Sequence, residues 1–281
     1  MNINVIVFRC VVLAMLLFGA ALPVSAGKGK IYTFAVMPFA PPVTLHAQWT
    51  PFVESLSRET GLKFRLKLYD KVAEFERDIW SGGPDFIFSS PIQAIVAHQS
   101  CRYRPLVRGG KNVSIGLFVR KDSPIKSVDE LTGKKISFVG NKNICSVYVR
   151  HLLANHKAKL SYTNEYAGST KNVIINVLLG KTDAGAVFVP EFADESAETR
   201  NQLRELLVTP EIPPHPISVH PRVPRTAQEA VKKATLAIGA TSEGGELLKT
   251  LRLGNPVAAE YNRDYRALEL IDIKSLTIWG E

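Results

Sequence analysis

The stretch from Tyr166 to Pro190, YAGSTKNVIINVLLGKTDAGAVFVP, restricts the fold more than any other part of the chain. Gly168, Ser169 and Thr170 form a small polar loop, and a Ser or Thr there can cap the free N–H groups of a helix start. Val173, Ile174, Val177 and Leu178 then recur at helical spacing and give that helix one apolar face. Gly180 stands where a left-handed C-terminal residue is wanted. Ala184 to Val189 is a short apolar run ended by Pro190, the pattern of a parallel strand covered on both faces. The chemical interest lies at the helix N-terminus, where free N–H groups and the helix dipole favour an anion. The same residues are also what a plain helix cap requires.

Taken in order, the chain repeats this logic. Lys30 to Phe39 reads as a strand ended by Pro41-Pro42. Trp49, Phe52, Val53 and Leu56 mark one face of a helix that Gly61 stops. Leu62 to Tyr69 alternates, with Leu62, Phe64, Leu66 and Leu68 on one side and Lys63, Arg65 and Lys67 on the other, as in a half-buried strand. A second helical face runs from Val72 to Trp80, a buried strand from Asp85 to Phe88, and a helix from Pro91 through His98. Ser114 to Arg120 and Lys135 to Val139 read as strands, Cys145 to Ala154 as a helix, and Ser127 with Glu130 as a capping box. Prolines 210, 213, 214, 216, 221 and 224 suit an extended return crossing. Thr226 and Glu229 make a second capping box, and the tail is expected to be helical and to rest on the first lobe. Strand–helix alternation of this kind predicts an α/β fold of two lobes, with a ligand cleft between them. The expected divisions are residues 27–118 plus 222–281 for the first lobe and 119–221 for the second.

With 281 residues and 46% apolar side chains, the chain can fill two modest cores. Arg9, the apolar run from Cys10 to Leu22 and the Val24-Ser25-Ala26 site predict a signal peptide over residues 1–26 and export to the periplasm. The formal charge is +9, and residues 1–26 contribute one positive charge, Arg9, to it. The basic residues are scattered, without an aromatic-interleaved stripe, which disfavours nucleic acid and leaves anionic lipid or an anionic solute as partners. Nothing has metal-ligand or cofactor spacing, so neither is expected. Cys101 and Cys145 remain after Cys10 is removed and are expected to be free thiols.

The segment GST-x-NV-x-x-NVLLGKTDAGAV resembles the second-lobe segment of the phosphate/phosphite/phosphonate-binding family of ABC-importer solute receptors. GGPDFIFSSPIQAIVAHQ, FVRKDSPIKSVDELTGKKISF and VTPEIPPHPISVHPRVP are similar to further segments of that family, in the same order. The resemblance implies a type II periplasmic-binding-protein fold, a Venus flytrap that captures a small anion such as a phosphonate, phosphite or phosphate. It also implies a monomer that delivers its ligand to the membrane permease of an ABC importer. In the family an oxyanion is held by a tyrosine, an S-T-S-G helix start and the histidine of a G-S-H loop. Here those positions fall on Ala94, on Asn143-Ile144-Cys145-Ser146 and on Thr170. The residues expected to meet ligand are Ser89, Ser90, Lys142, Asn143, Ser146, Ser169 and Thr170, grouped at strand ends and helix starts. Asp183 is expected to accept loop N–H groups instead.

Two other readings use the same residues. One is a receptor of this fold that signals to a membrane sensor. The other is an enzyme with Cys145 as a nucleophile, its pKa lowered at a helix N-terminus; His151 lies about 600° further around that helix and faces away. The chain carries no H-E-x-x-H, G-x-S-x-G or P-loop motif. N-terminal sequencing of the exported protein should find Gly27 as its first residue; a Met1 terminus in a membrane fraction would overturn the expected cleavage.

Overall fold

The computed structural model describes residues 30–273; the expected signal peptide, residues 1–26, lies outside them. Through the first crossing the elements are Ile31–Val36 (β1), Pro42–Thr60 (α1), Lys63–Lys67 (β2), Val72–Trp80 (α2), Phe86–Phe88 (β3), Pro91–Cys101 (α3) and Arg104–Arg108 (β4). There follow Ile115–Arg120 (β5), Lys135–Phe138 (β6), Ile144–Ala154 (α4), Thr163–Tyr166 (β7), Thr170–Leu178 (α5), Ala184–Phe188 (β8), Val189–Ala193 (α6), Ala197–Asn201 (α7) and Leu203–Val208 (β9). The chain returns through Pro216–Val219 (β10), Arg225–Ala240 (α8), Ser242–Thr250 (α9) and Val257–Ala258 (β11) to two short helical segments, Tyr261–Tyr265 and Arg266–Leu270.

Among the described residues the strands form two sheets, ordered β11-β4-β10-β3-β1-β2 and β7-β6-β8-β5-β9. The fold is α/β with two lobes, each built on one sheet. The chain changes sheet between Arg108 and Ile115 and again between Val208 and Pro216. Both changes fall a few residues before the boundaries expected at 118/119 and 221/222. The two crossings pair with each other, Val113 N–H donating to Ile212 C=O at 2.9 Å and Ile212 N–H to Val113 C=O at 2.8 Å.

Ala184–Phe188 was expected to be a parallel strand, yet it is parallel only to β6 and runs antiparallel to β5. The reason is the route of the chain. β5 enters from the other lobe along a crossing, without the helix that makes a strand–helix–strand unit parallel. Likewise the proline-rich return contains a strand: β10 is inserted between β3 and β4, antiparallel to both. Pro216 opens it, a position where a missing N–H is tolerated.

The alternation from Leu62 to Leu68 appears as the edge strand β2, its apolar side packed on the first core and Lys63 and Lys67 exposed. That core is aromatic, with Trp49 4.6 Å from Phe88 and 5.7 Å from Phe34, ring centre to ring centre. Neither expected capping box forms. Ser127 makes no side-chain cap, and the Glu130 carboxylate accepts from Lys126 N–H instead; Thr226 lies inside α8, which Pro224 precedes. Helices α8 and α9 do rest on the first core through Val231, Ile238 and Leu248. The segment after them does not stay there. Tyr261, Tyr265 and Leu268 join one cluster with Ile92 and Ile95 of α3 and with Ile115, Phe138 and Val147 of the second lobe. Tyr261 also stacks on His98 at 3.5 Å, and Tyr265 Oη donates to Pro214 C=O at 2.8 Å.

The helix of the opening stretch is held tightly. Gly180 takes φ +67°, as its place beyond α5 requires. A Cβ on Gly185 of β8 would stand 2.7 Å from Val173 Cγ1 and 2.8 Å from Val177 Cγ2 of α5. Bare backbone at residue 185 therefore lets α5 lie down on the sheet. Gly185→Val should lift that helix and destabilise the protein by about 1–3 kcal/mol, read as a lower midpoint of urea denaturation.

Candidate functional site

Three helix starts converge on one cleft of about 520 Å³. The first lobe supplies Ser90, the N-cap of α3. Its Oγ accepts from Gln93 N–H at 3.2 Å, while the Gln93 side chain accepts from Ser90 N–H at 3.1 Å. The second lobe supplies Asn143, whose Oδ1 caps α4 by accepting from Cys145 N–H at 2.9 Å, and Ser169, whose Oγ caps α5 by accepting from Asn172 N–H at 3.2 Å. A serine that accepts in a cap keeps its own O–H to donate. The loop before Asn143 is tied down by Arg150, which donates to Asn141 Oδ1 at 2.7 Å, and Tyr166 Oη donates to the same oxygen at 3.2 Å.

Five of the seven residues expected from sequence line this cleft: Ser90, Lys142, Asn143, Ser169 and Thr170. The structure places the other two elsewhere. Ser89 and Ser146 are fully buried behind the lining, and neither hydroxyl has a protein partner among the described residues. Asp183 accepts from Lys135 N–H at 2.8 Å, as expected of a strand start.

Two ion pairs span the cleft. Lys142 Nζ of the second lobe stands 3.1 Å from Glu76 Oε2 of α2, whose other oxygen accepts from Gln93 Nε2 at 3.3 Å. Arg252, just beyond α9, lies 3.9 Å from Glu191 of α6, and its guanidinium sits 5.0 Å from the centre of the Phe39 ring. Glu191 also accepts from Thr170 Oγ1. Lys142, Arg252 and Glu191 line the cleft together with Phe39 and His215, while Glu76 is fully buried. Glu76, Glu191, Arg252 and His215 were not singled out from sequence. Each is an ordinary polar residue in its own segment, and only the return of the chain brings Arg252 and His215 to the cleft.

Cys145 faces the same cleft but is 1% exposed. Burial pushes its thiol well above its ordinary pKa, and the Glu191 carboxylate adds to that rise. The lowered pKa expected of a helix-start nucleophile is thus absent, because desolvation outweighs the dipole. Cys101 is also a free thiol, its Sγ donating to Trp80 C=O. Among the described residues no group of His, Cys, Asp and Glu is arranged to hold a metal, and no helix is long and apolar enough to cross a membrane.

The sequence matches the family of periplasmic substrate-binding proteins of phosphonate ABC transporters over residues 34–265. The chain belongs to this family. Among solved structures, XAC2383 from Xanthomonas citri, bound to ATP, superposes with a TM-score of 0.75 at 17% identity, covering 89% of this chain and 100% of that one. PhnD1 from Prochlorococcus marinus (MIT 9301), in complex with methylphosphonate, gives 0.71 at 14% identity over 89% and 99%. A binding component of an ABC phosphonate transporter from Pseudomonas aeruginosa gives 0.63 at 14% identity over 88% and 86%. At such identities these neighbours establish the two-lobed fold of the family. A search of curated protein sequences gives no match.

His215 gives this family member a pH signature. Its ring is 6% exposed and stacks on Phe88 at 5.6 Å. Burial first, and the Arg252 charge second, push its pKa from 6.5 down to about 3. The unfolded chain therefore binds more protons between those two values, so this contribution to stability is present above pH 6.5 and is lost as the pH falls towards 3. By about pH 5 the loss should reach ~2 kcal/mol. Replacing His215 by Asn should flatten the dependence of Tm on pH over that range.

Proposed function

We infer that the protein captures a small anion of the phosphonate, phosphite or phosphate kind between its lobes and hands it to an ABC importer from the periplasm. The family supplies the transport setting. One observation carries the choice of an anion: three helix N-termini, drawn from both lobes, open onto one cleft with Lys142 and Arg252 among its walls. Helix starts bring oriented N–H donors and positive potential. Capping serines supply O–H donors that are already held in place, and a lining drawn from both lobes suits closure around the ligand.

The reading also says what must move. Thr170 gives its O–H to Glu191, so an anion must draw that donor to itself. Lys142 must likewise serve two carboxylate-like partners or turn from Glu76 to the ligand. Among the described residues the cleft presents no acid–base pair set to transform the bound molecule, and the protonated Cys145 is a poor nucleophile.

Methylphosphonate, phosphite and phosphate should bind in preference to sulfonates and small carboxylates in calorimetric titration. Changing Ser169 and Thr170 together to Ala should weaken binding by about a hundredfold or more, since a hydrogen bond to a charged group contributes ~1.5–3 kcal/mol. Loss of the α5 cap costs about 1–2 kcal/mol of stability, so Tm is measured beside affinity. A folded double variant that binds as tightly as the unaltered protein would reduce these hydroxyls to caps.

A further inference from the structure

The Arg252–Glu191 pair is a partition as well as a bridge. On one side lies the cleft described above; on the other is a second cavity of about 700 Å³. Phe188, Glu191, His215 and Arg252 line both. The pair that divides them is loose, at 3.9 Å, with side chains 43% and 34% exposed. By contrast, a tetrahedral oxyanion fills only the space of about three waters, roughly 100 Å³. Each space has room for more than that.

The second cavity is furnished for polar recognition. Lys111, Lys249, Thr241, Ser242 and Asn255 are on its wall, and α9 begins there, with Thr241 Oγ1 accepting from Gly244 N–H at 3.1 Å. Val113 and Pro214 give it apolar surface as well. The decisive group is His215. Its imidazole is nine-tenths buried, makes no hydrogen bond with any described residue, and borders both spaces. A neutral imidazole not committed to a protein partner can offer an N–H donor and a nitrogen acceptor to a molecule in either space.

Resting on the anion reading, we propose that the two cavities form one site for an organic phosphate or phosphonate: the anionic head lies at the three helix starts, and a polar, sugar- or nucleoside-sized body lies in the second cavity. The head draws both Arg252 and the Thr170 hydroxyl away from Glu191, and so opens the partition. His215 then meets the ligand where head and body join.

Gly245 allows a direct test. It lines only the second cavity, in α9, and a Cβ there would meet just one heavy atom, Gly239 C=O at 3.4 Å. Gly245→Leu should therefore fill the cavity from a helical position without disturbing the core, and Ser242→Trp provides a second plug from the helix start. Calorimetric titration of the whole mature protein would use methylphosphonate as the small probe, with glucose 6-phosphate and adenosine 5′-monophosphate as extended ones. At least one extended probe should bind about tenfold or more tighter than methylphosphonate, a difference of ~1.4 kcal/mol per factor of ten. Either plug should remove that advantage and leave methylphosphonate unchanged. The proposal falls if methylphosphonate binds as tightly as both extended probes, or if the advantage survives both plugs in folded protein. Absence of binding by all three probes would overturn the anion reading itself, and this proposal with it.

Discussion

A carboxylate with none of its surface open to solvent sets the terms for the cleft. Glu76 lies in the first lobe at 0% exposure, and a charge so placed needs close partners. Gln93 supplies one from the same lobe, and Lys142 reaches it from the other. Gln93 in turn closes the cap around Ser90. A single buried charge therefore couples a helix start in one lobe to the loop that precedes a helix start in the other. Removing Lys142 would leave that charge short of its cation, whereas exchanging both partners for apolar groups is often tolerated in buried pairs. The wall of the cleft is accordingly part of what holds the lobes in register.

The hinge side is built from different material. There the lobes meet through apolar side chains: Ile92 and Ile95 from α3, Ile115 and Phe138 from the second sheet, and Tyr261, Tyr265 and Leu268 from the end of the described chain. Arg108 adds an ion pair to Asp264 at 3.2 Å, both side chains largely buried. Apolar packing at the back and ion pairs at the front give a cleft whose mouth can exchange partners while its base stays packed.

Local pattern made much of this legible. The run from Val173 to Leu178, the alternation of β2 and the position of Gly180 each depend on spacing alone, and each stands where it was expected. Asn143 and Ser169 were readable for the same reason, since a cap is a local event, whereas Ser90 was expected as a strand end and its capping box with Gln93 was not read. What stayed hidden depends on partners far away in sequence. The direction of β5 follows from how the chain enters the sheet, and β10 is a strand only because β3 and β4 leave a gap for it. Arg252, His215 and Glu76 look like surface residues in their own segments. Their roles come from what stands opposite. Ser89 and Ser146 show the reverse: strand-end and helix-start positions that local pattern points at the ligand, and that the surrounding packing seals off.

The sheet order has a consequence for how the chain is assembled. The second lobe's sheet is drawn from one continuous stretch, Ile115–Arg120 through Leu203–Val208, so its strand pairings can form once that stretch is free. The first sheet is interrupted. Its β3 and β4 are separated by β10, more than a hundred residues later in sequence than either, and α8 and α9 cover its core later still. A chain that emerges N-terminus first thus holds its earliest strands without their central neighbour until its last quarter arrives. Long-range pairing of that kind is slow, and half-built sheets expose edges that aggregate. The part of the protein made first is the part that must wait longest to fold.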